Sequence, residues 1–188
     1  MAEEPEDDDE DLPGGSEAAL SDPENSPNVL AMSKWEQVVE DMDATAEEFA
    51  DAGWETLELH PGDVAPEPGE GELAPGLDFV LPDGEYERLE ATVAAGFDVD
   101  EVDVFRADES ALTYLVFALK DSEHSRVVLV PGYYRPVDET VQSMFERAHE
   151  DNRLQLYLRR LTGEYVAVAV EDPSLVSPSG ESEDASDA

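Results

Sequence analysis

The sequence contains no cysteine, few basic residues and only three histidines. Without cysteine the chain cannot form disulfides, thiolate nucleophiles or cysteine-ligated zinc sites. Of the histidines, His60 in LELHPGD has Asp63 nearby, a pair that would suit a general base or part of a metal site. No further ligand follows at a recognised spacing, so a structural role at a strand end is the favoured interpretation.

Motifs that would name a reaction are also missing. The sequence contains no GxSxG, HExxH, GxxxxGK[ST] or GxGxxG. Carboxylates are so abundant that a pair of them in the sequence carries no information about acid–base chemistry. We therefore predict no catalytic residue, no metal site and no cofactor, and a non-enzymatic role is favoured over an enzyme.

Long hydrophobic runs are absent as well. The longest mainly apolar run, residues 111–119, is about half of what a membrane-spanning helix needs. The first residues, MAEEPEDDDEDLPGG, lack the basic and apolar regions of a signal peptide. We expect a cytoplasmic protein that does not bind membranes.

Acidic residues dominate what is present. Forty-nine acids against ten bases give a net charge of -39. Such a charge destabilises a compact state by self-repulsion, unless salt shortens the Debye length to about 3 Å, as it does at 1 M. The composition predicts a protein adapted to high salt, with a nucleic-acid mimic as the alternative. Binding to nucleic acid itself is not expected, because the field repels phosphate.

The acids define the predicted domain limits. Residues 1–30 carry eleven acids and no base, and residues 171–188 carry six acids and no base. Segments of this kind bury too little apolar surface to offset the entropy of ordering. We predict disordered acidic tails at 1–30 and 173–188 around a single α+β domain at 31–172.

Periodicity predicts three helices and a mixed sheet of six or seven strands. The first helix shows apolar residues at helical spacing, with a capping box at Ser33 and Glu36 and a stop at Gly53. Residues 61–76 read as a Pro/Gly-rich loop. VLP at 80–82 and LVP at 129–131 each precede a helical pattern and a pair of strands, which suggests an internal β-α-β-β duplication.

One segment departs from the acidic background. Between Arg126 and Arg160 lie six bases and five acids, together with three tyrosines. Arginine and tyrosine are common anchors of protein interfaces, and arginine also binds anions. The candidate binding residues are Tyr133, Tyr134, Arg135, Tyr157 and Arg159. A protein partner or homodimer is the first hypothesis, and a small anionic ligand at the turn from Pro131 to Pro136 is the second. The plain alternative is that these arginines pair with neighbouring acids.

The segments WEQVVEDMDATAEEFADAGWETLELHPGDV, DFVLPDGEYE and VVLVPGYY resemble an uncharacterised family of acidic haloarchaeal proteins of unknown function. The resemblance covers roughly residues 33–170. It implies a halophilic archaeal source and a single domain, and it implies no activity.

Overall fold

A computed structural model of the chain describes residues 27–109 and 111–178. The described residues fall into two units, 27–36 and 37–178 without residue 110. In the first unit, the described residues 27–36 are helical, and this helix, α1 (Pro27–Asp51), continues into the second unit. The predicted capping box at Ser33 and Glu36 is therefore wrong, because both residues lie inside the helix. The predicted stop is confirmed, since Gly53 has a φ of +92° and follows the last turn.

The described residues of the second unit also form eight strands and two further α-helices. The strands are β1 (Glu55–Glu58), β2 (Asp63–Glu67), β3 (Gly76–Leu81), β4 (Glu101–Glu109), β5 (Leu112–Asp121), β6 (Arg126–Tyr134), β7 (Leu154–Arg160) and β8 (Tyr165–Val170). The helices are α2 (Asp83–Ala94) and α3 (Glu139–Asp151). No helix in the described ranges is both long and apolar enough to cross a membrane.

The strands form two four-stranded mixed sheets, so the predicted single sheet is corrected. Sheet A has the order β1-β6-β5-β4, and sheet B has the order β2-β3-β7-β8. Strand β2 lies within the segment that was predicted to be a loop. Pro66 and Glu67 are residues that strands disfavour, so the sequence does not indicate a strand here. Proline is tolerated because β2 is an edge strand. The α+β class and the three α-helices are confirmed.

The inner faces of the two sheets share one hydrophobic core with α2 and α3. Phe79 of β3 meets Phe117 of β5 edge to face, with ring centroids 6.0 Å apart. Gly132 of β6 lies under Phe79, and a β-carbon there would stand 2.9 Å from the ring. The sheets pack closely at this point because position 132 has no side chain.

Residues 37–51 of α1 have a different role. Their buried side chains, Val38, Met42 and Ala46, do not belong to the shared core. The outer faces of β5 and β6 carry a matching set of buried apolar side chains, and Asp43 of the helix interacts with Glu58 at the end of β1. We infer that this part of α1 covers the outer face of sheet A.

Local sequence explains where α2 and α3 start and end. Asp138 caps α3 by accepting hydrogen bonds from the backbone amides of Thr140 and Val141, and Asn152 closes it in the left-handed conformation. Pro82 precedes α2, whose first turn carries Asp83 and Glu85, where negative charge suits the helix dipole.

The predicted internal duplication is not confirmed. The two strands that carry the repeated motif, β3 and β6, belong to different sheets and pair differently. Each has one parallel and one antiparallel neighbour, but β3 pairs in parallel with β7 of the β7–β8 hairpin and antiparallel with β2, whereas β6 pairs antiparallel with β5 of the β4–β5 hairpin and in parallel with β1. The shared VLP and LVP motifs are explained by two buried strands, of which β3 is followed by Pro82 and β6 contains Pro131.

The C-terminal boundary lies later than predicted. Residues 173–175 form a single 3₁₀ turn, and Val176 is fully buried in the shared core. The side chain of Asp172 caps this turn by accepting from the Ser174 amide. Residues 173–178 thus belong to the folded unit, and 27–30 belong to α1. The remainder of both predicted tails lies outside the described residues.

Candidate functional site

The first three predicted binding residues lie at and just beyond the end of β6. The strand continues to Tyr134, so Pro131 and Gly132 are strand residues and the turn begins only at Arg135. Tyr133 and Tyr134 are consecutive strand residues and point to opposite faces. The two tyrosines therefore lie on opposite faces of sheet A, and the pocket between Pro131 and Pro136 stays a prediction.

Tyr134 is a core residue. Its side chain is 3% exposed, its ring meets Phe145 of α3 edge to face, and its hydroxyl donates a 2.6 Å hydrogen bond to the Val176 carbonyl. Burial raises the pKa of Tyr134 to about 12. Tyr133 is half-buried, with a pKa raised by burial and by the charge of Asp63, and Arg135 is exposed.

The other two predicted residues do lie together, on β7. Tyr157 and Arg159 are two positions apart and share the outer face of sheet B. The Nε atom of Arg159 donates to both oxygens of Asp78, at 2.7 and 2.8 Å. The Tyr157 hydroxyl donates to the Ala74 carbonyl at 2.7 Å, and its ring contacts Tyr165 edge to face. For Arg159, the expectation of pairing with a nearby acid is confirmed.

Strand register defines the whole outer face of sheet B. Three rows of side chains cross the four strands, and we call these residues the sheet B outer face. In order β2, β3, β7, β8 the rows are Asp63, Val80, Arg159 and Tyr165; then Ala65, Asp78, Tyr157 and Ala167; then Glu67, Gly76, Gln155 and Ala169. Of these twelve positions, Asp63, Tyr165 and Ala167 are exposed, Gly76 and Tyr157 are buried, and the others are partly exposed.

A second constellation surrounds His60. One ring nitrogen of His60 and carboxylate oxygens of Asp43 and Glu58 all lie within 4.8 Å of one another. Both oxygens of Glu85 hold the histidine, one at 2.6 Å from its backbone nitrogen and one at 2.7 Å from Nδ1. Asp63, the partner considered from the sequence, is not a member of this group. Three chain segments meet here, and no local spacing could have revealed it.

The carboxyl of Glu58 is perturbed in this setting. Partial burial, a hydrogen bond with the Asp43 carboxyl and the charges of Asp43 and Glu47 raise the pKa of Glu58. Two carboxyl groups in contact with each other favour a shared proton or a cation between them.

The other histidine with an acidic partner has a structural role. Asp121 is 1% exposed and accepts from the backbone amides of Asp98 and His124 and from the His124 ring. This network closes the turn between β5 and β6.

Comparison with protein families identifies the family of this chain. A family of unknown function, DUF7529, matches residues 22–178. The chain belongs to the DUF7529 family. Comparisons with curated proteins and with solved structures return no significant match.

Two clefts in the DUF7529 domain provide space for small molecules. One, of about 560 Å³, opens between the edge strands β4 and β8. Its floor is apolar, with Leu89, Leu119 and Leu158. Acids line its mouth, which disfavours an anion: Asp98, Asp100, Glu101, Glu171 and Asp172.

The other cleft, of about 370 Å³, lies between α2 and the starts of β1 and β6 and includes Arg88 and Arg126. Arg126 donates to the Ala95 carbonyl and lies 3.3 Å from Glu55. The basic side chains of this cleft were not among the predicted site residues, because they are far apart in the sequence.

Proposed function

We propose that this DUF7529 protein is a non-enzymatic protein-interaction domain of a salt-adapted cytoplasm, and that it binds a second copy of itself through the sheet B outer face. The observation that carries the proposal is a four-stranded sheet whose inner face lies in the shared core and whose outer face exposes Ala167 and Tyr165 beside Arg159. A sheet with one face in the core and the other in solvent usually alternates apolar and polar residues. Here the outer positions include alanine, valine and tyrosine.

Charge favours this face as the contact. Its three rows hold three acids, Asp63, Glu67 and Asp78, and one base, Arg159. Residues 37–51 of α1 hold six acids and no base. Two chains of charge -39 repel least where their surfaces are least acidic, and multimolar salt screens what remains.

A two-fold contact suits the arrangement of the charges. In an isologous dimer the same patch faces itself, so each Arg159 can meet an acid of the other copy as well as its own Asp78. The exposed ring of Tyr165, 49% accessible, supplies an aromatic anchor next to this pair. Leu161, 79% accessible in the β7–β8 hairpin, adds apolar area at the margin.

The size of the face sets the expected affinity. Four strands about 4.8 Å apart and three rows along them cover a projected area of about 400 Å² per copy. Stable interfaces bury about 800 Å² per partner, so we expect a weak dimer with a dissociation constant of about 10 μM to 1 mM.

Sedimentation velocity in about 2 M KCl, over a wide range of protein concentration, tests the proposal. Wild type should shift from monomer to dimer, and Ala167→Glu, which places a charge in the middle row, should stay monomeric. Ala94→Glu on the exposed surface of α2 is the matched control and should dimerise like wild type. Unfolding temperatures of both variants establish that they fold. Equal dimerisation of both variants, or a monomeric wild type, would refute the proposal.

The cleft with Arg88 and Arg126 favours a second candidate function, the sensing of a small anionic ligand. Arginine offers planar donors that suit phosphate and carboxylate. Thermal-shift titration with inorganic phosphate and nucleotides tests it. A rise in unfolding temperature that Arg88→Gln abolishes supports the site, and an unchanged response in that variant rules it out.

A further inference from the structure

We propose that Asp43, Glu58 and His60 form a binding site for a divalent transition-metal ion, with Glu85 as the residue that positions the histidine. The three donors come from α1, from the end of β1 and from the loop after it, and their ligand atoms lie within 4.8 Å of one another. One nitrogen and two carboxylate oxygens are a donor set that zinc and related ions accept.

The histidine is oriented from outside the donor group. Glu85 accepts from Nδ1 at 2.7 Å and from the backbone amide of His60 at 2.6 Å. A proton on Nδ1 leaves the lone pair on Nε2, which is the nitrogen that would bind the metal. A carboxylate behind a metal-binding histidine fixes the ring and its tautomer in this way. Glu85 is well placed for the task, because its side chain is only 17% exposed in the first turn of α2.

The backbone around the donors is held firmly on both sides. Leu59, between Glu58 and His60, is fully buried, and its amide donates to the Leu129 carbonyl at 2.8 Å. Pro61 after the histidine is also buried. The donors at positions 58 and 60 therefore project from a rigid strand end, which is the kind of support that a precise site needs.

The separation of the donors suits an ion after a small adjustment. Ligands at about 2.1 Å from a tetrahedral zinc ion stand about 3.4 Å from one another. Atoms that lie within 4.8 Å need to close by no more than about 1.4 Å, which rotations of the Asp43 and Glu58 side chains supply. Three protein ligands leave a fourth position for water, and the exposed side chains of Asp43 and His60 give the ion a path from solvent.

The electrostatics of the group support a cation. The ligand oxygens of Asp43 and Glu58 lie within 4.8 Å of each other, so the two carboxylates repel each other when both are charged. A divalent cation bound between the two carboxylates offsets this repulsion.

Calorimetric titration of the full chain with ZnCl₂ in about 2 M KCl tests this proposal, because the salt screens diffuse binding to a chain of charge -39. We expect one strong site per chain. His60→Gln and Asp43→Asn should each weaken it at least tenfold, and Glu85→Gln about tenfold, as loss of an orienting carboxylate typically does. The control variants His149→Gln and Asp51→Asn, both exposed and outside the group, should bind like wild type.

Two further measurements separate a built site from general attraction to acids. MgCl₂ should not compete with zinc, because magnesium prefers oxygen ligands alone. CoCl₂ should give a visible absorption band that His60→Gln abolishes and Asp51→Asn keeps. Zinc affinity that is unchanged in His60→Gln, or equally strong binding of magnesium, would overturn the proposal. Unfolding temperatures in metal-free buffer verify that each variant folds. Zinc binding by a monomeric protein would support the metal site and would leave the proposed dimer untested by this experiment.

Discussion

Replacing Tyr134 with phenylalanine should destabilise the domain through a single atom. The hydroxyl donates a 2.6 Å hydrogen bond to the Val176 carbonyl in the shared core, where Tyr134 is 3% and Val176 is 0% exposed. Phenylalanine keeps the ring and its contact with Phe145, centroids 5.1 Å apart. The variant leaves a buried carbonyl without its donor, which costs about 1–3 kcal/mol.

The assay is equilibrium unfolding by urea in about 2 M KCl, since guanidinium would itself change the screening of the charges. We expect the free energy of unfolding to fall by about 1–3 kcal/mol with an unchanged slope. Tyr165→Phe is the matched control: its ring is 49% exposed, and the same loss of a hydroxyl should cost less than about 0.5 kcal/mol. Equal effects of the two variants would refute the assignment of residues 173–176 to the folded unit.

Three other predictions concern packing, pH and salt. Gly132→Ala should lower the free energy of unfolding by about 1–3 kcal/mol in the same urea assay, because its β-carbon would stand 2.9 Å from Phe79. Gly84→Ala, which has open space around it, should leave the free energy of unfolding unchanged or raise it. The folded state holds the Tyr134 proton more tightly, with a pKa of about 12 against 10. The contribution of Tyr134 to the free energy of unfolding should therefore be constant below pH 10 and be lost between pH 10 and about 12, and Tyr134→Phe should reduce the fall in this range. The unfolding temperature measured by circular dichroism should rise from about 0.1 M to about 2 M KCl as the Debye length shrinks from about 10 Å to under 3 Å, and a flat response would contradict salt adaptation.

Elements with strong local patterns could be predicted from the sequence. Leu154, Leu156 and Leu158 of β7 alternate with Gln155, Tyr157 and Arg159 in the sequence, as expected of a strand, and the four apolar residues that face one side of α3 are all buried. Such patterns are local, because the period of a strand or a helix is fixed by its own backbone.

The division into two sheets could not be predicted in this way. It depends on the parallel pairing of β3 with β7, strands far apart in the chain, and on an edge strand, β2, that contains proline. The start of α1 was predicted wrongly because Ser33 and Glu36 have the residue types and spacing of a capping box, although both lie inside the helix. A motif of this kind indicates a helix start only where the residues before it do not continue the helix.

The candidate sites illustrate the same limit. Tyr134 looks like an exposed anchor in PGYYRP, yet its partner lies 42 residues away at Val176. Arg159 and Tyr157 were singled out by composition and do share a surface, because residues two apart on a strand face the same way. His60 acquires Glu85 from 25 residues away and Asp43 from the first helix, so only the fold reveals its surroundings.

Because the chain has no cysteine, cross-linking through single introduced thiols tests whether two copies meet at the sheet B outer face. Ala167→Cys introduces a single thiol in the middle row of the sheet B outer face, and Ala94→Cys introduces one on α2. Sheets that pack face to face lie about 10 Å apart, so a bis-maleimide of about that reach should join two copies of the Ala167→Cys protein in about 2 M KCl. We expect cross-linked dimers from the protein with cysteine at position 167 and none from the protein with cysteine at position 94. Equal yields at the two positions would refute a dimer formed through the sheet B outer face.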